Sequence, residues 1–119
     1  MGLTYLDIRI ANPRNPKKAA TSHLLVDSGA VYSVVPGRLL ARLGIKPHSK
    51  RPFTLADGQV VERRIGDAVY SYGDQRGAAP VIFGAPGDST LLGAVTLEAL
   101  GLCLDPFRRE LRRLPMLIA

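Results

Sequence analysis

Leu24-Leu25-Val26-Asp27-Ser28-Gly29-Ala30 is the most informative segment of this chain. Three branched apolar residues run together and stop abruptly on a carboxylate, which puts Asp27 at the end of a buried strand. A lone charge in that position is costly unless it is paired or shares a proton. Ser28 can bond neighbouring backbone, and Gly29 removes the side chain where a ligand or a second backbone must come close. Asp-Ser-Gly by itself is also an ordinary turn tripeptide. Its meaning rests on what surrounds it.

Upstream, Thr4 to Ile10 alternates, with Leu6, Ile8 and Ile10 on one face and Tyr5, Asp7 and Arg9 on the other, the mark of a half-buried strand. The segment from Asn12 to Lys18 reads as a polar turn, too rich in Pro to continue a ladder. His23 to Val26 brings the chain back. Downstream, Val34-Val35 is a short strand closed by Pro36-Gly37, and Arg38 to Leu43 has helical spacing with Gly44 as its C-terminal cap. Phe53-Thr54-Leu55 and Val60-Val61 flank Ala56-Asp57-Gly58-Gln59, a β-hairpin by its Asp-Gly turn. Strand character continues through Ile65, Val69 and Tyr70 to Tyr72, with Gly66 read as a bulge. A turn over Gly73 to Gly77 leads to a strand over Pro80 to Phe83, then a loop to Ser89. Thr90 to Gly93 is a short apolar strand, and Ala94 to Leu100 a short helix ending at Gly101. Leu102-Cys103-Leu104 and Glu110-Leu111-Arg112 flank a turn at Asp105-Pro106. The sum is an all-β domain with one or two short helices.

Composition agrees. A chain of 119 residues makes one domain, 1–119, and its 12 Gly and 9 Pro exclude a helical bundle or coiled coil. No apolar run approaches the roughly 18 residues of a membrane span, and the first residues lack a basic and then apolar leader. Cys103 is the single cysteine, so no internal disulfide forms. A cytoplasmic protein with no membrane association is the expectation. Cys103, between Leu102 and Leu104, reads as a small buried apolar residue. The net charge of +6 is mostly dispersed, with one dense cluster at Arg108, Arg109, Arg112 and Arg113. Few aromatics accompany that cluster, so the stacking platform of a nucleic-acid binder is missing and a solvated basic face is expected. His23 and His48 have no metal-spaced companions, and no metal is expected. Serine-nucleophile elbows, phosphate loops and dinucleotide fingerprints are absent.

Taken in order, these segments resemble the retropepsin-like (retroviral-type) aspartic proteases, including their single-domain bacterial relatives. In that family an apolar run enters Asp-Thr/Ser-Gly-Ala and is followed by a small β segment, here Leu24 to Ala30 and then Ser33-Val34-Val35-Pro36. A flap hairpin follows, matched by the Asp57-Gly58 turn. An apolar pair, a Gly and a short helix come last, matched by Leu91-Leu92-Gly93 and Ala94 to Leu100. Order and spacing agree from about Tyr5 to Leu114. Viral members also carry an Asp soon after the Asp-Thr-Gly-Ala that pairs with an Arg after the later Gly. Val31 and Ala94 hold those positions here, so both partners are replaced together.

The resemblance implies a half-barrel with one lobe per chain and a homodimer that cleaves a polypeptide substrate. Asp27 would be catalytic in each subunit, with Ser28 and Gly29 supporting it and no metal or cofactor. The Gly29 and Ala30 backbone would line the cleft, Leu91 would form its apolar wall, and Asp57 and Gly58 would close over the substrate. Two carboxylates about 3 Å apart share one proton, one acting as general base on water and the other polarising the scissile carbonyl. Two other readings keep the sequence intact: an inactive module of the same fold that dimerises or binds peptide, and a basic nucleic-acid-associated β domain.

Overall fold

The computed structural model describes residues 3–105, 107–108 and 110–113. Nine strands and two short helices follow one another as β1 (Tyr5–Asn12), β2 (Asn15–Val26), β3 (Ser33–Pro36), α1 (Gly37–Arg42), β4 (Ser49–Thr54), β5 (Val60–Tyr72), β6 (Gln75–Gly84), β7 (Leu91–Leu92), α2 (Ala94–Ala99), β8 (Leu102–Leu104) and β9 (Leu111–Arg113) among the described residues. The fold class is all-β, as the alternation and the chain-breakers predict.

Seven strands form one sheet in the order β1-β2-β7-β3-β6-β5-β4, and β1 also pairs with β5 through Arg9, Ile10 and Ala11. That second pairing closes six strands into a ring around the core and leaves β4 as an outer strand on β5. Ile8, Ile10, Leu24, Val35, Tyr70, Val81 and Leu92 fill the interior. In β1, Ile8 and Ile10 point inward with Leu6 packed against them, while Tyr5, Asp7 and Arg9 are exposed. The Tyr70 hydroxyl is buried yet satisfied, donating to the Pro80 carbonyl at 3.2 Å, and burial pushes its pKa well up.

Several local expectations change. The polar turn narrows to Pro13-Arg14, because β2 begins at Asn15 and carries Pro16 within it. Pro16 is tolerated because the β1–β2 register breaks there, passing from Ala11↔Ala19 to Asn12↔Asn15, so no ladder amide is required of it. Gly66 is no bulge; it sits in unbroken register between Ile65↔Ile82 and Asp67↔Pro80. It is glycine because a Cβ there would lie 3.0 Å from the Phe83 ring and 3.1 Å from the Lys46 carbonyl. The turn after β5 is only Gly73-Asp74, and Gly77 lies inside β6, against the backbone of Ala99 in α2. Cys103 is half-buried instead of buried. The apolar run Met116-Leu117-Ile118 at the end of the sequence lies outside the described residues.

α1 ends as its sequence predicts, with Gly44 at φ +76°. The Asn12 side chain donates to the Leu43 carbonyl at 2.9 Å and accepts from the Arg14 amide at 2.8 Å, tying the first hairpin to the end of that helix. Asp105 organises the β8–β9 turn by accepting from the amides of Arg108 and Phe107, and those bonds, with Arg112, hold its carboxyl below the usual range. Arg113 reaches Asp74 at 3.7 Å, so the described part of the C-terminal basic cluster is exposed and partly ion-paired.

The candidate active site around Asp27

β2 delivers Asp27 to the rim of the ring. The Leu25 amide donates to the Thr90 carbonyl at 3.2 Å, and the Asp27 amide to the Leu92 carbonyl at 3.0 Å, so the parallel β2–β7 ladder runs right up to the carboxylate. The chain then turns. The Ala30 amide donates to the Asp27 carbonyl at 3.1 Å, and the Gly29 amide donates to Asp27 Oδ1 at 3.0 Å. A Cβ on Gly29 would stand 3.2 Å from that same oxygen, so glycine lets the amide come close to the carboxylate. Asp27 is half-buried and Ser28 is exposed.

The loop is held from behind by α2. No side chain caps this helix; its first amides are satisfied by the loop itself, Ala94 N donating to the Ala30 carbonyl at 2.8 Å and Val95 N to the Val31 carbonyl at 3.0 Å. Val31 and Ala94 thus meet at a loop–helix junction made by backbone hydrogen bonds. The Val31 side chain faces solvent with 62% of its surface exposed. Gly93 lets the helix start close to the loop, since a Cβ there would come within 2.6 Å of the Tyr32 carbonyl. Beneath it, Ser33 Oγ accepts from the Gly93 amide at 3.0 Å and bonds Thr96 Oγ1 at 2.6 Å, both hydroxyls fully buried.

A groove of about 650 Å³ opens at Asp27. Gly29, Ala30, Tyr32, Val34 and Leu91 line one side, and Phe53 to Ala56 with Val61 of the β4–β5 hairpin line the other. The lining is predominantly apolar, with the Asp27 carboxylate among the few polar groups, as expected of a small-ligand or peptide cleft. Arg51, on β4, lies over the Tyr32 ring at 5.9 Å and so connects the hairpin to the Asp27 loop. Of the residues singled out from sequence, Asp27, Gly29, Ala30 and Leu91 converge on this groove. Ser28 does not line it. Asp57 and Gly58 occupy the hairpin tip, outside the lining. There Gly58 has φ +87°, its amide donates to the Leu55 carbonyl at 2.9 Å, and Asp57 Oδ1 accepts from the Gln59 amide at 2.9 Å.

One feature of the groove has no signature in the sequence. Arg63 on β5 and Asp88 in the loop before β7 form a bidentate pair, Nε to Oδ2 at 2.7 Å and Nη2 to Oδ1 at 2.9 Å. Both side chains are about four-fifths covered, at 21% and 22% exposure. The Ala85 amide adds a 2.8 Å bond to Asp88. The guanidinium holds the Asp88 carboxyl below the usual range, and the carboxylate pushes Arg63 up. Asp88 is thus occupied, whereas Asp27 has no cationic partner among the described residues.

His23 is bonded to Asp7 and His48 to Asp67, both at exposed positions, and no cluster of three metal-ligating side chains occurs among the described residues. No described helix is long and apolar enough to cross a membrane. Comparison with protein-family models, with curated proteins and with solved structures finds no match in any of the three.

Proposed function

We propose that this chain is a retropepsin-like aspartic endopeptidase that acts as a homodimer, each subunit contributing Asp27. The observation that carries this reading is a half-buried carboxylate, without a cationic partner among the described residues, lining an apolar groove, with a glycine-tipped hairpin along the groove's other side. An extended peptide fits such a groove, and the hairpin is the element that can close over it and exclude water.

One chain supplies one usable carboxylate. The other aspartate lining the groove, Asp88, is held by Arg63 and the Ala85 amide. Hydrolysis by a shared-proton pair needs a second, which a two-fold axis beside Asp27 supplies from an identical subunit. Exposed Val31 in the Asp27 loop, and exposed Leu3, next to Thr4 whose carbonyl receives the Val26 amide, give that contact apolar surface. In the paired site the ionised carboxylate takes a proton from water as the water oxygen adds to the scissile carbonyl carbon. The protonated carboxyl hydrogen-bonds the carbonyl oxygen as negative charge develops there. Collapse of the tetrahedral intermediate breaks the C–N bond, the leaving nitrogen takes the proton that the carboxylate had removed from water, and the two product fragments leave with the carboxylate pair back in its starting protonation state. Gly29 N–H, bonded to Asp27 Oδ1, fixes the carboxylate's orientation. With a lone, half-buried Cys103 and no disulfide, a cytoplasmic setting fits this activity.

The test is cleavage of an unfolded protein such as casein at mildly acid pH by wild type and by Asp27→Asn. The amide is nearly isosteric, so the variant should fold and fail to cut. Equal cleavage by both would remove Asp27 from the chemistry, and a folded wild type that cuts nothing would favour a peptide-binding module without activity.

A further inference from the structure

A second concavity, of about 850 Å³, adjoins the Asp27 groove, and Arg63 and Asp88 line both. It lies between the start of α1, the middle of the β4–β5 pair and the loop from Gly84 to Asp88. Its charge is one-sided. Lys50 is spent on Glu62 at 3.7 Å, and Arg63 on Asp88. Arg38 and Arg64 remain, both exposed, with no carboxylate partner among the described residues. Arg64 is steadied over the Phe83 ring at 5.7 Å, so its guanidinium is held at the hollow without being neutralised. Arg38 stands beside Gly37, where an added Cβ would lie 3.3 Å from the Gly84 carbonyl oxygen, so glycine lets α1 start close to that loop. Two guanidiniums without a carboxylate partner among the described residues thus border a hollow that shares Arg63 and Asp88 with the groove.

The geometry points to an acidic polypeptide segment as the occupant: substrates carry a run of Glu or Asp beside the stretch laid across Asp27, and Arg38 and Arg64 bind it. This deepens the endopeptidase reading and rests on it for what the segment is attached to. Guanidiniums recognise carboxylates through charge-assisted bonds. A nucleic-acid strand fits less well. Phe83, the only aromatic among the described residues that line the hollow, is 6% exposed and covered by Arg64, so no base can stack on it.

The experiment reads binding and cleavage separately. Labelled peptides with one apolar core and a flank of Glu, Gln or Lys are titrated onto the Asp27→Asn protein by fluorescence anisotropy, and the same peptides are offered to wild type for cleavage. Two exposed charge contacts predict about tenfold tighter binding of the Glu-flanked peptide than of the Gln-flanked one. That gain should vanish at about 1 M salt, where the screening length is about 3 Å. Arg38→Gln/Arg64→Gln should abolish it, Lys17→Gln/Lys18→Gln should retain it, and Arg38→Glu/Arg64→Glu should turn the preference toward Lys. Equal binding of the Glu and Gln peptides to the Asp27→Asn protein would overturn the proposal. So would a random single-stranded oligonucleotide that outcompetes the Glu peptide in an Arg38- and Arg64-dependent manner. If wild type cleaves none of the peptides while the Glu preference persists, the hollow keeps its ligand and the endopeptidase reading falls.

Discussion

Asp88→Asn should destabilise the protein at neutral pH and leave it unchanged in acid. The wild-type pair is bidentate and mostly covered, so it lies between exposed ion pairs at about 0.2–1 kcal/mol and buried pairs whose truncation costs about 3–5 kcal/mol. Asparagine keeps an acceptor for the Ala85 amide but loses the charge facing Arg63. A loss of about 1–2 kcal/mol follows, which for a domain of this size lowers Tm by about 4–8 °C. The pH sign is set by the carboxyl: Asp88 has a lowered pKa when folded and an ordinary one near 3.9 when unfolded. Its contribution is complete above the unfolded value and is lost as pH falls through the folded value. Asp105 is lowered as well, but it is common to both proteins and cancels in the difference. Thermal unfolding followed by circular dichroism at pH 7 and near pH 2 reads this directly. A Tm gap of the same size at both pH values, or none at pH 7, would mean that the ionised Asp88–Arg63 pair does not stabilise the fold.

Gly58→Val should reduce peptide turnover far more than Tm, because φ is +87° there and no atom lies within 4 Å of the added Cβ, so the strain stays at the hairpin tip. Equal losses in turnover and Tm would make the hairpin part of the core. Gly93→Ala should cost about 1–3 kcal/mol by forcing α2 off the Tyr32 carbonyl, read as a drop in the urea midpoint. An unchanged midpoint would mean that the loop yields freely and is not clamped.

Local signals were legible wherever a local rule governs. The period-two pattern of β1, the Asp-Gly hairpin turn and the Gly44 cap each follow from a few neighbouring residues, and the strand run that stops at Asp27 does too. Non-local demands were not legible. Gly66 and Gly77 look like a bulge and a turn residue in sequence, but each is small because another segment crosses it, Lys46 and Phe83 in one case and Ala99 in the other. Pro16 looks like a strand breaker, yet the register break opposite it removes the amide requirement. The β1–β5 closure and the Arg63–Asp88 pair join residues far apart in the chain, where charge patterning offers no guide. Asp27 stands out in the sequence by its context, while the Arg63–Asp88 pair in the same groove is visible only in three dimensions.

If two copies of Asp27 build one site, mixing active and inactive subunits poisons it. Wild-type chains are held at a fixed concentration and a threefold excess of Asp27→Asn chains is added, allowed to exchange, and assayed for casein cleavage. With random pairing, about one wild-type chain in four retains a wild-type partner, so activity per wild-type chain should fall to about a quarter. Activity that stays proportional to wild-type chains, with the protein sedimenting as a monomer at the assay concentration, would contradict it.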